Sequence, residues 1–420
     1  MSTAWRPIGA PMCVAYNSRA KVSALLRHIL ASASGEIKLM TLSHSFIRFH
    51  ARWLILVMAV FLLVACGGEE YVPDDTQSVS QQEDQPADED WYYAETPEDC
   101  LDDEEFDEVD ELCYQVIDCD VEDCQDDGPS IAQSFFDLVD ELAWGVSGTG
   151  FEDSDALEEN TLVTYRVEGN QITTPELAAV SDDLLDEQAD TETHQRMWAY
   201  FTQLIPLEQR EYLTGYQVFT DGPDETLAFV TADTDDPHNW VLGIDIADSS
   251  DLAQLSFTLV HEFAHLLTLN SDQVPADKEL AMQPDDQDLY DEAVAACPTY
   301  FPGEGCSHPD SYINAFFERF WVDEYQDWQE VDQLQYEDEE EYATALEDFY
   351  ALRSDEFVSD YAATNPGEDI AESFATFVLQ PAPTGTTIAD DKVAFFYDYP
   401  ELVKLRSEIM GRMYSRLRRR

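Results

Sequence analysis

The sequence predicts an α+β fold: a short antiparallel or mixed sheet, a buried central helix, and extra helices around them. Three features carry that expectation. The runs YLTGYQVFTDG, ETLAFVTAD and NWVLGIDIAD are short, rich in β-branched and aromatic residues, and separated by Asp, Gly and Pro clusters, as expected of three antiparallel strands. Directly after them, Asp251 to Asn270 is apolar on nearly every face, which suits a helix inside a core. Amphipathic helical spacing precedes the strands, in SIAQSFFDLVDELAWG from about Pro129 and in THQRMWAYFTQLIP over 193–206. Further on, SYINAFFERFW, YEDEEEYATALEDFYAL and DYAATNPGEDIAESFATFV read as helices, the first two covering a cleft. The tail YPELVKLRSEIMGRMYSRLRRR reads as a closing helix, its C-terminal positive charge favoured by the helix dipole and available for docking onto acidic parts of the chain.

A chain of 420 residues can bury one large core or two ordinary ones. Its 21 basic and 89 acidic residues give a net charge of −68, which excludes nucleic acid as a partner by simple Coulomb repulsion. Such an excess of carboxylates keeps a protein solvated and attracts cations, as suits an extracellular medium.

Residues 1–65 reverse this balance, with seven basic residues and one acidic residue, Glu36. Arg48 and Arg52 precede an apolar run of 13 residues, Trp53 to Ala65, too short to span a bilayer but matched to a signal-peptide core. The run ends in Leu63, Val64, Ala65 and Cys66, which resembles a bacterial lipobox. That resemblance implies acylation of Cys66, removal of residues 1–65, and an extracytoplasmic, lipid-anchored protein on the outer membrane or cell surface. An ordinary signal peptide with an incidental cysteine is the alternative. A compact signal sequence begins at Met40, so residues 1–39 are a candidate over-extended start.

Residues 66–98 are expected to be a disordered acidic tether, 99–128 an acidic Cys-rich segment, and 129–420 the folded domain. Six cysteines besides Cys66 lie in the exported part, an even count that suits disulfides, with the loop CPTYFPGEGC from Cys297 to Cys306 the expected single bridge. Cys100, Cys113, Cys119 and Cys124 lack C-x-x-C spacing, which argues against a zinc ribbon. The run DCLDDEEFDEVDEL could gather Ca2+ through clustered carboxylates, but it lacks the spacing of a calcium loop and reads more simply as solvated acidic coil or helix.

The chemistry is concentrated in LVHEFAHLLTLN. His261 and His265 are four residues apart, so they share a helix face and can hold one Zn2+ ion. Glu262 stands one step around the helix, where its carboxylate can take a proton from a water on the metal. Burying these three groups in an apolar helix is costly without a partner such as a metal. Thr268 and Ser271 stand where a metzincin would place Gly and His or Asp, which excludes that class. Farther along, Glu368 and Glu372 lie one turn apart on a helix that Asn365 and Pro366 would start; either could be the third ligand, and Asn365-x-x-Glu368 is also a capping-box pattern. His308 precedes Pro309 in a loop and reads as a surface histidine.

With Tyr361, Asn365, Glu368, Ala371, Glu372 and Phe374, the chain resembles gluzincin metallopeptidases, and especially the catalytic domain of anthrax lethal factor and its relatives. The resemblance implies a zincin-like fold, Glu368 as third zinc ligand, Glu372 as the partner that orients His261, and Tyr361 as support for the oxyanion. It further implies a hydrolase in which Glu262 assists attack of zinc-bound water on a peptide or protein substrate, laid along an edge strand such as Trp240 to Ile246. About 100 residues separate His265 from Glu368, more than in compact members. The competing class is a non-catalytic acidic surface lipoprotein whose zinc site is structural or vestigial and which binds cations or a partner.

Overall fold

The computed structural model describes residues 13–16, 96–117, 131–141, 160–222, 226–233, 235–249, 252–283, 286–336 and 339–418. Cys66 and its lipobox, the tether up to residue 95, Cys119 and Cys124 lie outside the described residues, and Pro97–Asp99 forms a 3-10 turn. In chain order the strands are β1 (Cys13–Tyr16), β2 (Glu104–Asp107), β3 (Leu112–Gln115), β4 (Thr161–Glu168), β5 (Gln171–Leu177), β6 (Leu213–Phe219), β7 (Thr226–Ala232) and β8 (Trp240–Asp245). The helices that follow in the argument are α1 (Ile131–Glu141), α2 (Leu185–Ala189), α3 (Thr191–Leu204), α4 (Leu252–Leu269), α5 (Lys278–Ala281), α6 (Gln287–Ala296), α7 (Tyr312–Phe320), α8 (Tyr325–Asp332), α9 (Glu339–Leu352), α10 (Pro366–Leu379), α11 (Ile388–Phe395) and α12 (Pro400–Arg418). The class is α+β: a mixed sheet followed by helices, with both histidines on α4.

The sheet runs β7-β8-β6-β4-β5, with β1 antiparallel along the outer side of β7. The three strands expected as an antiparallel set are therefore ordered differently. β7 and β8 pair antiparallel, but β8 inserts between β7 and β6 and runs parallel to β6. Trp240 to Ile246 is consequently interior to the sheet and cannot be the edge that receives a partner strand, because both of its hydrogen-bonding sides are filled. On that side the sheet continues through β7 to β1, which is its edge. Strands β4 and β5 were not anticipated from the sequence; they form a hairpin around Gly169, whose φ of 65° fits the left-handed turn position that glycine tolerates.

Alternation along the strands sends Tyr216, Val218, Ala228, Val230, Leu242 and Ile244 into one core with Leu255, Leu259, Val260 and Phe263 of α4. Polar side chains on α4 are absorbed locally: Thr268 donates to the carbonyl of Ala264 at 2.8 Å, and Ser256 to that of Leu252.

The acidic belt is neither coil nor helix. Glu104–Asp107 and Leu112–Gln115 pair as a hairpin, and a Cys100–Cys113 disulfide closes it. Low strand propensity of the acidic residues is overridden by cations from elsewhere in the chain. Asp110 is buried and meets Arg210 at 3.1 Å and Arg412 at 2.8 Å; Arg412 also pairs with Asp107, and Arg418 with Asp103 at 2.8 Å and Glu104 at 3.2 Å. The basic tail thus docks internally, onto this hairpin. Breaking a buried pair from one side costs about 3–5 kcal/mol, so Asp110 is the anchor. Gly411 lets α12 approach closely, since a Cβ there would stand 1.9 Å from the carbonyl oxygen of Gln115.

The second disulfide, Cys297–Cys306, closes a loop that carries Glu304. Burial pushes the Glu304 carboxyl up to about 7, and one of its oxygens has no hydrogen-bond partner; burial likewise raises Asp332 to about 7. Between the ordinary carboxyl value of 4.5 and about 7, the folded protein keeps a proton on Glu304 that the unfolded chain has released. Folding stability must therefore fall as pH rises through that window. Thermal melts are expected to show a higher midpoint at pH 5 than at pH 8, and Glu304→Gln should narrow the gap by stabilising the protein at pH 8. An unchanged gap in that variant would show that Glu304 is not the linked group.

Candidate metal centre

Helix α4 carries His261, Glu262 and His265 into the core, all three fully buried. Helix α10 starts where the sequence signals it: Pro366 occupies the first turn and Asn365 caps it, accepting from the amide of Glu368 at 2.9 Å. The capping box is not completed. Instead the Glu368 carboxylate turns to the histidines, with Oε2 at 3.1 Å from Nε2 of His261 and 3.4 Å from Nε2 of His265. The two Nε2 atoms are 3.0 Å apart.

These three donor atoms form a group able to hold a metal ion. A tetrahedral zinc with ligands at about 2.0–2.1 Å spaces its donors about 3.3–3.4 Å apart, close to the separations found. The chemistry of the donors points the same way. Two imidazole nitrogens facing each other across 3.0 Å cannot both present lone pairs unless a proton or a cation lies between them. Glu372 occupies the other side of the ring, with Oε1 at 2.8 Å from Nδ1 of His261. Geometry therefore separates the two glutamates that the sequence left as alternatives: Glu368 faces the shared donor point, Glu372 the back of His261.

Electrostatics show how crowded the pocket is. Burial opposes charge on His261, but Glu368 and Glu372 outweigh it and push the imidazole well above its ordinary range. Burial alone would raise Glu368; the histidines outweigh it and bring it down to about 2. His265 is lowered, chiefly by burial. Glu262 is pushed well above the usual carboxylate range, first by burial and then by Glu368, against the pull of His261. Neither Glu262 oxygen makes a hydrogen bond of normal geometry, although the amide of Val230 on β7 comes near enough to favour its charged form. A buried carboxylate left in this state needs a further partner, and a metal with its water is a fitting one.

Tyr361 is buried in a short 3-10 turn, Tyr361–Ala363, its ring 5.7 Å from that of His261. His308 is exposed and far from this group in role, its amide donating to the carbonyl of Gln273. One buried cluster next to the site had no signal in the sequence. Asp369, adjacent to Glu368, meets Lys392 of α11 at 2.6 Å and accepts from the indole of Trp321 at 2.7 Å. Lys392 also sits 3.8 Å above the ring of Phe357. These partners are distant in sequence, and no local pattern joins them.

Against models of known protein families, curated proteins and solved structures, the chain matches none. The functional argument therefore rests on the site itself. Elemental analysis of purified protein should find one zinc per chain, lost in His265→Ala and Glu368→Gln and retained, with weaker binding, in Glu372→Gln. Loss of metal in the Glu372 variant alone would reverse the two roles.

Proposed function

We propose that the chain is a zinc metallopeptidase with a zincin-like site. The observation that carries this reading is the convergence of three buried donors, His261, His265 and Glu368, beside the unpartnered carboxylate of Glu262. A structural zinc takes four protein ligands, whereas a hydrolytic one uses three and keeps a position for water or substrate. Three donors among the described residues, with a carboxylate adjacent, favour the hydrolytic case over a structural site.

Zinc held there would polarise a substrate carbonyl and acidify a water. The protein's own contributions follow from its geometry. Glu262 takes the proton of the attacking water and returns it to the leaving amine, and the apolar wall of α4 and β7 excludes competing solvent. Tyr361 takes in this reading the role of steadying charge on the attacked oxygen, supported by its ring lying beside that of His261. An extended peptide fits the outer side of β7, not Trp240 to Ile246. Residues Cys13–Tyr16 take that place in antiparallel register, with Cys13 opposite Val230, whose amide lies next to Glu262. Those four residues belong to the segment that signal processing would remove.

Residues supporting an extracytoplasmic address are the two disulfides, which form in oxidising compartments, and the lipobox-like Leu63–Cys66. Among the described residues no helix is long and apolar enough to cross a membrane. Anchoring through a lipid on Cys66 is the corresponding proposal, and an alkynyl fatty acid should label the wild type but not Cys66→Ala. Equal labelling of the two would remove the anchor from this reading.

Catalysis is tested by comparing wild type with Glu262→Gln at matched zinc content on a peptide library. The loss of a general base predicts a fall of about 10²–10⁴-fold in rate. Hydrolysis at equal rates would eliminate the peptidase and leave a zinc-binding surface protein.

A further inference from the structure

Behind Glu372 stands a side chain with no part in the motif. Ser359, buried at the end of the segment preceding the Tyr361 turn, donates through Oγ to Oε2 of Glu372 at 2.7 Å. Oγ of Ser359 in turn accepts from the amide of Ala362 at 3.0 Å. A hydroxyl has one hydrogen and two lone pairs, and a backbone amide can only donate. With Ala362 occupying a lone pair, the single hydroxyl hydrogen is directed at Glu372. The other oxygen of Glu372 stands 2.8 Å from Nδ1 of His261, an ion-pair contact whose angle falls short of a regular hydrogen bond. The Ser359 link has one direction, and the ring of His261 is oriented with Nδ1 on the Glu372 side and Nε2 toward His265 and Glu368.

We propose that Ser359 is a positioning residue that sets the tautomer of His261 through Glu372 and ties it to the placement of Tyr361. The tie to Tyr361 is covalent and local: Ala362, whose amide Ser359 holds, is the next residue in the same 3-10 turn. One hydroxyl thereby locks a metal-facing imidazole and the neighbouring phenol into a single arrangement. The proposal rests on the metal-site reading of His261, and it assigns Ser359 no contact with metal or substrate. Outer partners of this kind typically govern metal affinity by about 10–100-fold.

The test uses the full chain in wild type, Ser359→Ala, Ser359→Cys and Ser359→Thr. Zinc affinity is read by competition with a chromophoric chelator, and the protonation of His261 by ¹⁵N chemical shifts of its ring in metal-free protein. The alanine variant should bind zinc about 10-fold or more weakly and lose the Nδ1–H signature, the threonine variant should recover both, and the cobalt-substituted alanine protein should show a shifted visible spectrum. Should the alanine variant fail to fold, the cysteine variant, with its weak thiol donor, carries the same expectation. Wild-type affinity and ring shifts in the alanine or cysteine variant would overturn the role of Ser359. Failure of wild type to take up zinc would instead overturn the metal site, and the ring shifts would still decide whether Ser359 sets the tautomer.

Discussion

The contact between α4 and α10 is the constraint from which the rest of the site follows. Both helices are buried, and their apolar sides interlock through pairs such as Phe263 and Phe374, 6.0 Å between ring centres. At that contact each also presents polar groups that could not be buried singly. Helix α10 is fastened at both ends: Asn365 caps its start, Asp369 is tied to Lys392 and Trp321, and Arg406 of α12 donates to the carbonyls of Phe377 and Gln380 at its finish. A helix pinned in this way cannot slide by a turn without breaking a buried ion pair. Glu368 is therefore delivered to the same point as the two histidines by the framework and not by the flexibility of its own side chain.

A chain so rich in carboxylates has few cations, and the structure spends several of them inside. Arg210 and Arg412 converge on Asp110, Lys392 on Asp369, and Arg406 on helix-terminal carbonyls. Burial lowers Arg210 to about 10, with Asp110 opposing the drop, so it remains charged at neutral pH. The consequence is a division of labour. Cations organise the interior and the hairpin, while the solvent-facing surface keeps an acidic excess that maintains solubility and repels polyanions.

How far the sequence could be read depended on the range of the interactions. The spacing of His261 and His265, the apolar surround of α4, and the Asn365-Pro366 start of α10 are local patterns, and each is present in the structure at the expected place. The β4–β5 hairpin had a local signal, Gly169-Asn170 between two β-branched runs, that went unread. Other features had none. The insertion of β8 between β6 and β7 depends on strand order, which alternation does not encode, and it places Trp240–Ile246 in the interior of the sheet. The hairpin at Glu104–Gln115 is made by arginines that lie about 100 and 300 residues away. Ser359 reaches Glu372 across 13 residues and a change of element, with nothing in its neighbourhood to mark it.

Charge balance gives the strongest physical reason for placing a divalent ion at this site. Glu262, Glu368 and Glu372 are three carboxyls within one buried pocket, faced by two imidazoles. With protons alone, the pocket balances itself by holding a proton on His261 and another on Glu262, which is the sense in which both groups are shifted. That state is poorly suited to chemistry, because the base is already occupied and the imidazole has no lone pair to give. A divalent cation bound there would replace both protons, returning Glu262 to a carboxylate and His261 to a neutral donor with Glu372 beside its other nitrogen. Two imidazoles and one carboxylate are a donor set that zinc accepts readily, whereas calcium or magnesium would call for oxygen ligands. The polar groups that burial disfavours one by one thus form a set that could hold a metal ion.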